Sequence, residues 1–167
     1  LIGAHKVGSE LPTLIMGSHQ DTVIGGGKYD GIMGVLLPIL AFKVLGSEQI
    51  RYNLEIISFA DEEGVRFPTS LIGSRSLAGT FNKSFLSFED NQGVSLREAM
   101  VDFGLKPENI LKLKRDKSDL LGFIEVHIEQ GPILHHENKA LGIVSSNSGI
   151  ERYYVSPKGE AGHAGTV

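Results

Sequence analysis

Three short runs of mostly apolar, β-prone residues each stop at a cluster of polar side chains, and that repetition organises the chain. The first run, residues 13–16 (Thr-Leu-Ile-Met), leads into Gly17-Ser18-His19-Gln20-Asp21-Thr22-Val23. The second, residues 53–59 (Asn-Leu-Glu-Ile-Ile-Ser-Phe), ends in Asp61-Glu62-Glu63-Gly64. The third, residues 122–128, terminates in His127-Ile128-Glu129-Gln130-Gly131-Pro132. Runs of this length and composition, bounded by glycine and polar residues, read as strands. Residues 1–10 read as the tail of one element and a polar turn, with Pro12 opening the first of these strands.

Other stretches carry a helical pattern. After Gly25-Gly26-Gly27-Lys28-Tyr29-Asp30-Gly31, residues 32–45 are apolar almost throughout, long enough for a buried helix. Pro38 inside it predicts a kink or a late start, because proline lacks the donor and crowds the preceding turn. Residues 71–77 read as a short helical turn, and Ser95-Leu96-Arg97-Glu98 has the spacing of a capping box that opens a helix toward Phe103, with Gly104 ending it. Strand, glycine-rich polar loop, helix is the layout of an α/β fold. In such sheets ligands bind in the crevice beyond the carboxyl ends of the strands.

The pattern changes toward the end. Residues 143–148 are a polar hinge, and residues 150–155 alternate like a strand with one wet face before the glycine-flanked His163. We place a boundary there: residues 1–146 belong to one domain and 147–167 begin a second.

Composition narrows the classes. A chain of 167 residues with 41% hydrophobic and 22% charged residues can bury one full core, which argues against disorder. A net charge of −4 gives no field to attract nucleic acid or an anionic membrane, and the one basic cluster, residues 112–117, reads as a solvated face. No apolar run reaches the length of a membrane span. The absence of cysteine removes thiolate ligands, so a metal would be held by nitrogen and oxygen. The chain opens on Leu with no charged-then-apolar leader and stops abruptly at Val167, which reads as a piece of something longer without a signal peptide.

Parallel strands would deliver His19, the Glu62/Glu63 pair and His127 to one sheet edge, with Asp30 at the start of the following helix. Alone, a histidine or an acidic turn is ordinarily structural. Together they differ, because carboxylates gathered at one edge repel each other unless a cation neutralises them, and this donor set suits zinc or manganese. His5, His135 and His136 lack such a setting and are read as surface residues.

Gly-Ser-His-x-Asp-Thr-Val, Gly-Gly-Lys-Tyr-Asp-Gly, Asp-Glu-Glu-Gly-x-Arg-Phe, His-Ile-Glu-Gln-Gly-Pro and Gly-x-Ala-x-His-Ala-Gly-Thr, in that order, resemble the peptidase M20 superfamily. More narrowly they resemble its amidase branch of N-carbamoyl-L-amino-acid hydrolases, allantoate amidohydrolases and β-ureidopropionases, over residues 14–166. The resemblance implies a three-layer, mixed-sheet, zinc-peptidase-like α/β catalytic domain, followed by the beginning of an α+β lid and dimerisation domain. It implies two divalent metal ions, zinc or else manganese, cobalt or nickel. His19 and His127 match ligands of one ion, Asp30 the bridge, and Glu63 a ligand of the second.

Glu62 matches the general base, and Asp21 the carboxylate that steadies the imidazole of His19. Gln130 and His163 match substrate-binding positions, His163 helping to stabilise the oxyanion. In the wider fold the bridging aspartate is followed by a cis peptide, so Asp30-Gly31 is expected to be cis. The family completes its second metal site with a histidine further along and binds the substrate carboxylate with an arginine; neither lies in these residues. A cytoplasmic homodimer acting on a small ureido or N-carbamoyl compound is implied, with no nucleic acid or membrane partner. N-carbamoyl-L-amino-acid hydrolase is the favoured reading; allantoate amidohydrolase, a dipeptidase or aminoacylase of the superfamily, and a non-catalytic binding module on the same scaffold are the alternatives. The piece alone is expected to fold at best partly and not to catalyse.

Overall fold

A computed structural model describes all residues except Ile150, Arg152, Tyr154, Ala161, Ala164, Thr166 and Val167. The strand expected over residues 150–155 therefore lies in part outside the described residues. The chain divides into two units, Leu1–Ile128 and Glu129–Val167.

The first unit is a mixed α/β structure around one sheet. β1 (Ile2–His5), β2 (Thr13–His19), β3 (Asn53–Phe59) and β4 (Leu120–Ile124) lie in the order β1-β3-β2-β4. β2 runs parallel to both β3 and β4, whereas β1 is antiparallel to β3. Three carboxyl ends therefore point the same way, as expected. Residues 1–10, read as a tail and turn, contribute the edge strand β1 instead. The Asn53 side chain fixes the turn that follows: its amide donates to the carbonyls of Gly8 and Leu11, and its carbonyl accepts from the N–H groups of Val7 and Gly8.

Helix α1 (Ile32–Leu45) starts where the apolar run starts, and Pro38 neither delays nor ends it. The buried side of α1 is made by Gly34, Val35 and Pro38. A wholly buried helix was expected; instead Leu36, Leu37, Ile39, Leu40, Val44 and Leu45 are exposed in this chain. Beside the sheet, a second apolar cluster is built by the long connection from β3 to β4. Phe67, Ile72, Phe81, Leu86, Leu96 and Ile110 form it, drawn from α2 (Ile72–Ala78), α3 (Leu96–Asp102), the 3₁₀ segments that precede and follow α3, and the loops before and after α2.

The capping box at α3 is formed. Ser95 Oγ accepts from the Glu98 N–H at 3.2 Å, while Glu98 Oε2 accepts from the Ser95 N–H at 2.8 Å. Donation from the Ser95 hydroxyl at 2.6 Å, and after it from the Ser95 N–H, holds the Glu98 carboxyl below its ordinary range. Ser95→Ala is expected to cost about 1 kcal/mol, the usual worth of such a cap, measured by urea unfolding of the full-length protein.

β4 ends earlier than the apolar run suggested, at Ile124 rather than at residue 128. Its last backbone partner is Met16, after which the Glu125 side chain takes a hydrogen bond from the Ser18 hydroxyl in place of the ladder. His127 thus sits on an irregular segment three residues past the strand. In the second unit the one helix among the described residues is α4 (Ile133–His136), whose opening N–H groups, those of Ile133 and Leu134, are accepted by the Glu129 carboxylate at 2.9 and 3.0 Å.

Candidate active site

His19 is the last residue of β2 and is 5% exposed. Beyond it the chain stays tied to β3 through a bond from the Gln20 N–H to the Phe59 carbonyl, 2.9 Å. The glycine-rich loop then returns to Asp30 at the mouth of α1. The Asp30-Gly31 peptide is trans, against expectation; the chain reverses through Gly31 at φ 69°. A Cβ at Gly31 would lie 2.4 Å from the His19 ring, so glycine is required for the close approach of α1 to this imidazole.

The two histidines converge. His19 Nε2 and His127 Nε2 are 3.2 Å apart. Asp30 Oδ1 lies 3.2 Å from the His127 nitrogen and 3.8 Å from that of His19. Each imidazole is oriented from behind by a backbone carbonyl: His19 Nδ1 donates to Asp21 O at 2.6 Å, and His127 Nδ1 to Ile128 O at 2.9 Å. A proton committed to Nδ1 leaves Nε2 as an acceptor on both rings, and two acceptors cannot bond each other. A cation between them satisfies both. Two nitrogens each bound to a tetrahedral zinc at ordinary length stand about 3.3 Å apart, close to the separation found. The donors present therefore fit a metal ion without rearrangement.

A second group of donors, His19, Glu62 and Glu63, also brings one ligand atom from each residue within 4.8 Å of the others. The acidic turn that carries the two glutamates is locked to α2 by bonds from the Ile72 N–H to the Asp61 carbonyl and from the Leu71 N–H to the Glu62 carbonyl, 3.1 and 3.0 Å. From the other side, Asp21 accepts the N–H groups of Glu62 and Glu63 with its two oxygens, at 3.1 and 3.0 Å. Here the structure departs from the expected role. The Asp21 carboxylate grips the turn bearing the glutamates, and the Asp21 backbone carbonyl is what orients His19.

The field at this edge is strongly negative. Burial raises the Glu62 carboxyl above the usual range; Glu63, Asp21 and Glu125 push the same way, and His19 opposes them. Asp61 is raised too, by burial and by Asp21, with Arg66 opposing. A carboxylate with raised pKa is the better proton acceptor near neutral pH.

Gln130 and His163 belong to the second unit, and both are exposed. Gln130 sits at φ 56°, a left-handed conformation that a side-chain-bearing residue adopts at a cost. The His163 ring accepts the Gly165 N–H at 3.1 Å. His5, read as a surface residue, is half-buried and packs its ring against Phe42 at 5.2 Å. His135 and His136 lie exposed on α4. Sequence reasoning passed over Ser18 and Glu125, although both stand within two residues of a singled-out histidine.

Parallel strands whose carboxyl ends gather two facing histidines and several carboxylates define the class: an α/β protein with a site fit for a divalent metal. No family model matches the sequence. Among curated proteins, the chain is 43% identical over 160 residues to an allantoate deiminase of Arabidopsis thaliana, covering 92% of this chain and 30% of that protein. It is 41% identical over 161 residues to an N-carbamoyl-L-amino-acid amidohydrolase of Paenarthrobacter aurescens, covering 95% and 39% respectively. Among solved structures, a hydantoinase/carbamoylase family amidase from Burkholderia ambifaria superposes with TM-score 0.70 at 28% identity, over 82% of this chain and 33% of that one. These similarities are consistent with the amidase branch of the peptidase M20 superfamily. The chain spans between 30% and 39% of the length of these two curated relatives.

Proposed function

We propose that the full-length protein is a metal-dependent hydrolase of linear amide C–N bonds, acting on an N-carbamoyl-L-amino acid. The observation that carries this reading is the convergence of His19 Nε2 and His127 Nε2 at 3.2 Å beside Asp30, with both rings held so that these nitrogens are acceptors. His19 and His127 would hold a first ion, and Asp30, shared with it, would together with Glu63 help to hold a second; the donors suit zinc, and manganese, cobalt and nickel share the preference. When bound, such ions supply the charge that makes water acidic enough to lose a proton near neutral pH and that polarises the scissile carbonyl.

Glu62 takes the proton of the attacking water as its oxygen bonds to the carbonyl carbon. It then delivers that proton to the leaving nitrogen as the C–N bond breaks. A ureido group hydrolysed in this way yields ammonia and a carbamate that loses carbon dioxide, leaving the free amine. Asp21 fixes the turn from which Glu62 reaches the site, with the paired N–H contacts as support. Gln130 and His163 bind substrate, His163 against the developing oxyanion; the left-handed backbone at Gln130 is the kind of local cost that functional sites retain.

Residues 1–146 form part of a three-layer catalytic domain and residues 147–167 begin the lid and dimerisation domain of a cytoplasmic homodimer. No helix among the described residues is long and apolar enough to cross a membrane. Allantoate is a second candidate substrate, favoured by the relative from Arabidopsis thaliana. The test is an assay of the full-length protein against N-carbamoyl amino acids, allantoate and dipeptides in parallel. Hydrolysis of an N-carbamoyl amino acid with the highest kcat/KM supports the first reading; preference for allantoate selects the second, and preference for dipeptides contradicts both.

A further inference from the structure

We infer that Ser18 and Glu125 form a positioning pair that sets the distance between the two metal-facing imidazoles; the inference rests on the metal reading of His19 and His127. Pairing between β2 and β4 stops at Met16 and Ile124, so neither His19 nor His127 is held toward the other by the backbone ladder. On its opposite side β2 stays bonded to β3 as far as Gln20. Past the end of the ladder on the β4 side, the Ser18 hydroxyl donates to Glu125 Oε1 at 2.5 Å. A bond from a hydroxyl to an ionised carboxylate is among the stronger kinds.

Its two ends differ in a telling way. Ser18 is 1% exposed, whereas Glu125 is an exposed residue, so a carboxylate from the surface reaches in to accept from a buried hydroxyl. Held on Ser18, it fixes the segment that carries His127 two residues on. Helix α1 presses on the same junction: a Cβ at Gly34 would come 2.2 Å from the Val126 carbonyl oxygen and 2.6 Å from Ser18 Cβ. The serine precedes His19 directly, so this bond joins the residue before one ligand to the irregular segment before the other.

The test is zinc affinity of the full-length protein, measured by competition with a chromogenic chelator, for Ser18→Ala, Glu125→Ala, the double variant and Glu125→Gln, with His127→Ala as reference. Partners that orient metal ligands typically matter 10- to 100-fold in affinity, so each alanine variant is expected to weaken the tightest zinc by about that much. Both substitutions break the same bond, so the double variant should be no weaker than the weaker single one. Glutamine keeps an acceptor oxygen and should bind zinc within about threefold of the parent. Alanine variants that lose thermal stability yet bind zinc within about twofold of the parent would overturn the inference, as would losses that multiply in the double variant. A parent protein whose zinc binding is unaffected by His127→Ala would instead remove the metal reading on which the pair depends.

Discussion

Glu62→Gln is expected to lower kcat of the full-length protein by about 10²- to 10⁴-fold while its metal content stays that of the parent. Glutamine matches glutamate in shape and still accepts a hydrogen bond, but it cannot take a proton. The loss therefore isolates the base. One feature makes Glu62 the expected acceptor: burial, and after it three neighbouring carboxylates, raise its pKa, while Asp21 holds the turn that carries both glutamates by the N–H group of each. Glu62 also lies among donors that could bind an ion, so the alternative role is that of a ligand. Steady-state kinetics paired with elemental analysis separates the two. A fall in bound metal matching the fall in kcat would make Glu62 a ligand, and a kcat within tenfold of the parent would remove it from the chemistry.

Gly17→Ala is expected to destabilise the protein by about 3 to 5 kcal/mol, the sum of a disallowed backbone conformation and an overpacked contact. Gly17 sits in β2 two residues before His19, at φ 152°, opposite Ile57 of β3. A Cβ there would meet the Ile57 carbonyl oxygen at 2.0 Å, and that oxygen belongs to the backbone and cannot swing aside. Relief requires β2 and β3 to part where they deliver His19 and the acidic turn. Urea unfolding of the full-length variant measures the cost; a loss under about 1 kcal/mol would mean that the strands separate locally without penalty.

Much of this site could be read from the chain because each part is local. The run over residues 53–59 is β3 and the run over 32–45 is α1, residue for residue, and the capping box at Ser95 announces α3. What failed to show in the sequence depends on partners distant along the chain. Residues 122–128 are apolar enough for a strand, but β4 stops at Ile124, and the next residue, Glu125, pairs through its side chain with a serine 107 residues earlier. The same separation hid Ser18 and Glu125 as site-building residues. Asp21 was legible as a site residue from its place beside His19, yet which of its groups meets the imidazole depends on the path of the loop. For α1, an all-apolar pattern foretold a helix covered on every side, and a pattern alone carries no information about which neighbours supply the cover.

If these histidines and carboxylates hold the ions on which turnover depends, activity must leave and return with the metal. The full-length protein is stripped with a chelator, then titrated with zinc or manganese while hydrolysis of an N-carbamoyl amino acid is followed. No turnover is expected from the stripped protein, and recovery is expected to saturate at about two equivalents of metal per chain, with His127→Ala failing to recover. Full turnover after stripping, or recovery in His127→Ala equal to that of the parent, would contradict the metal reading.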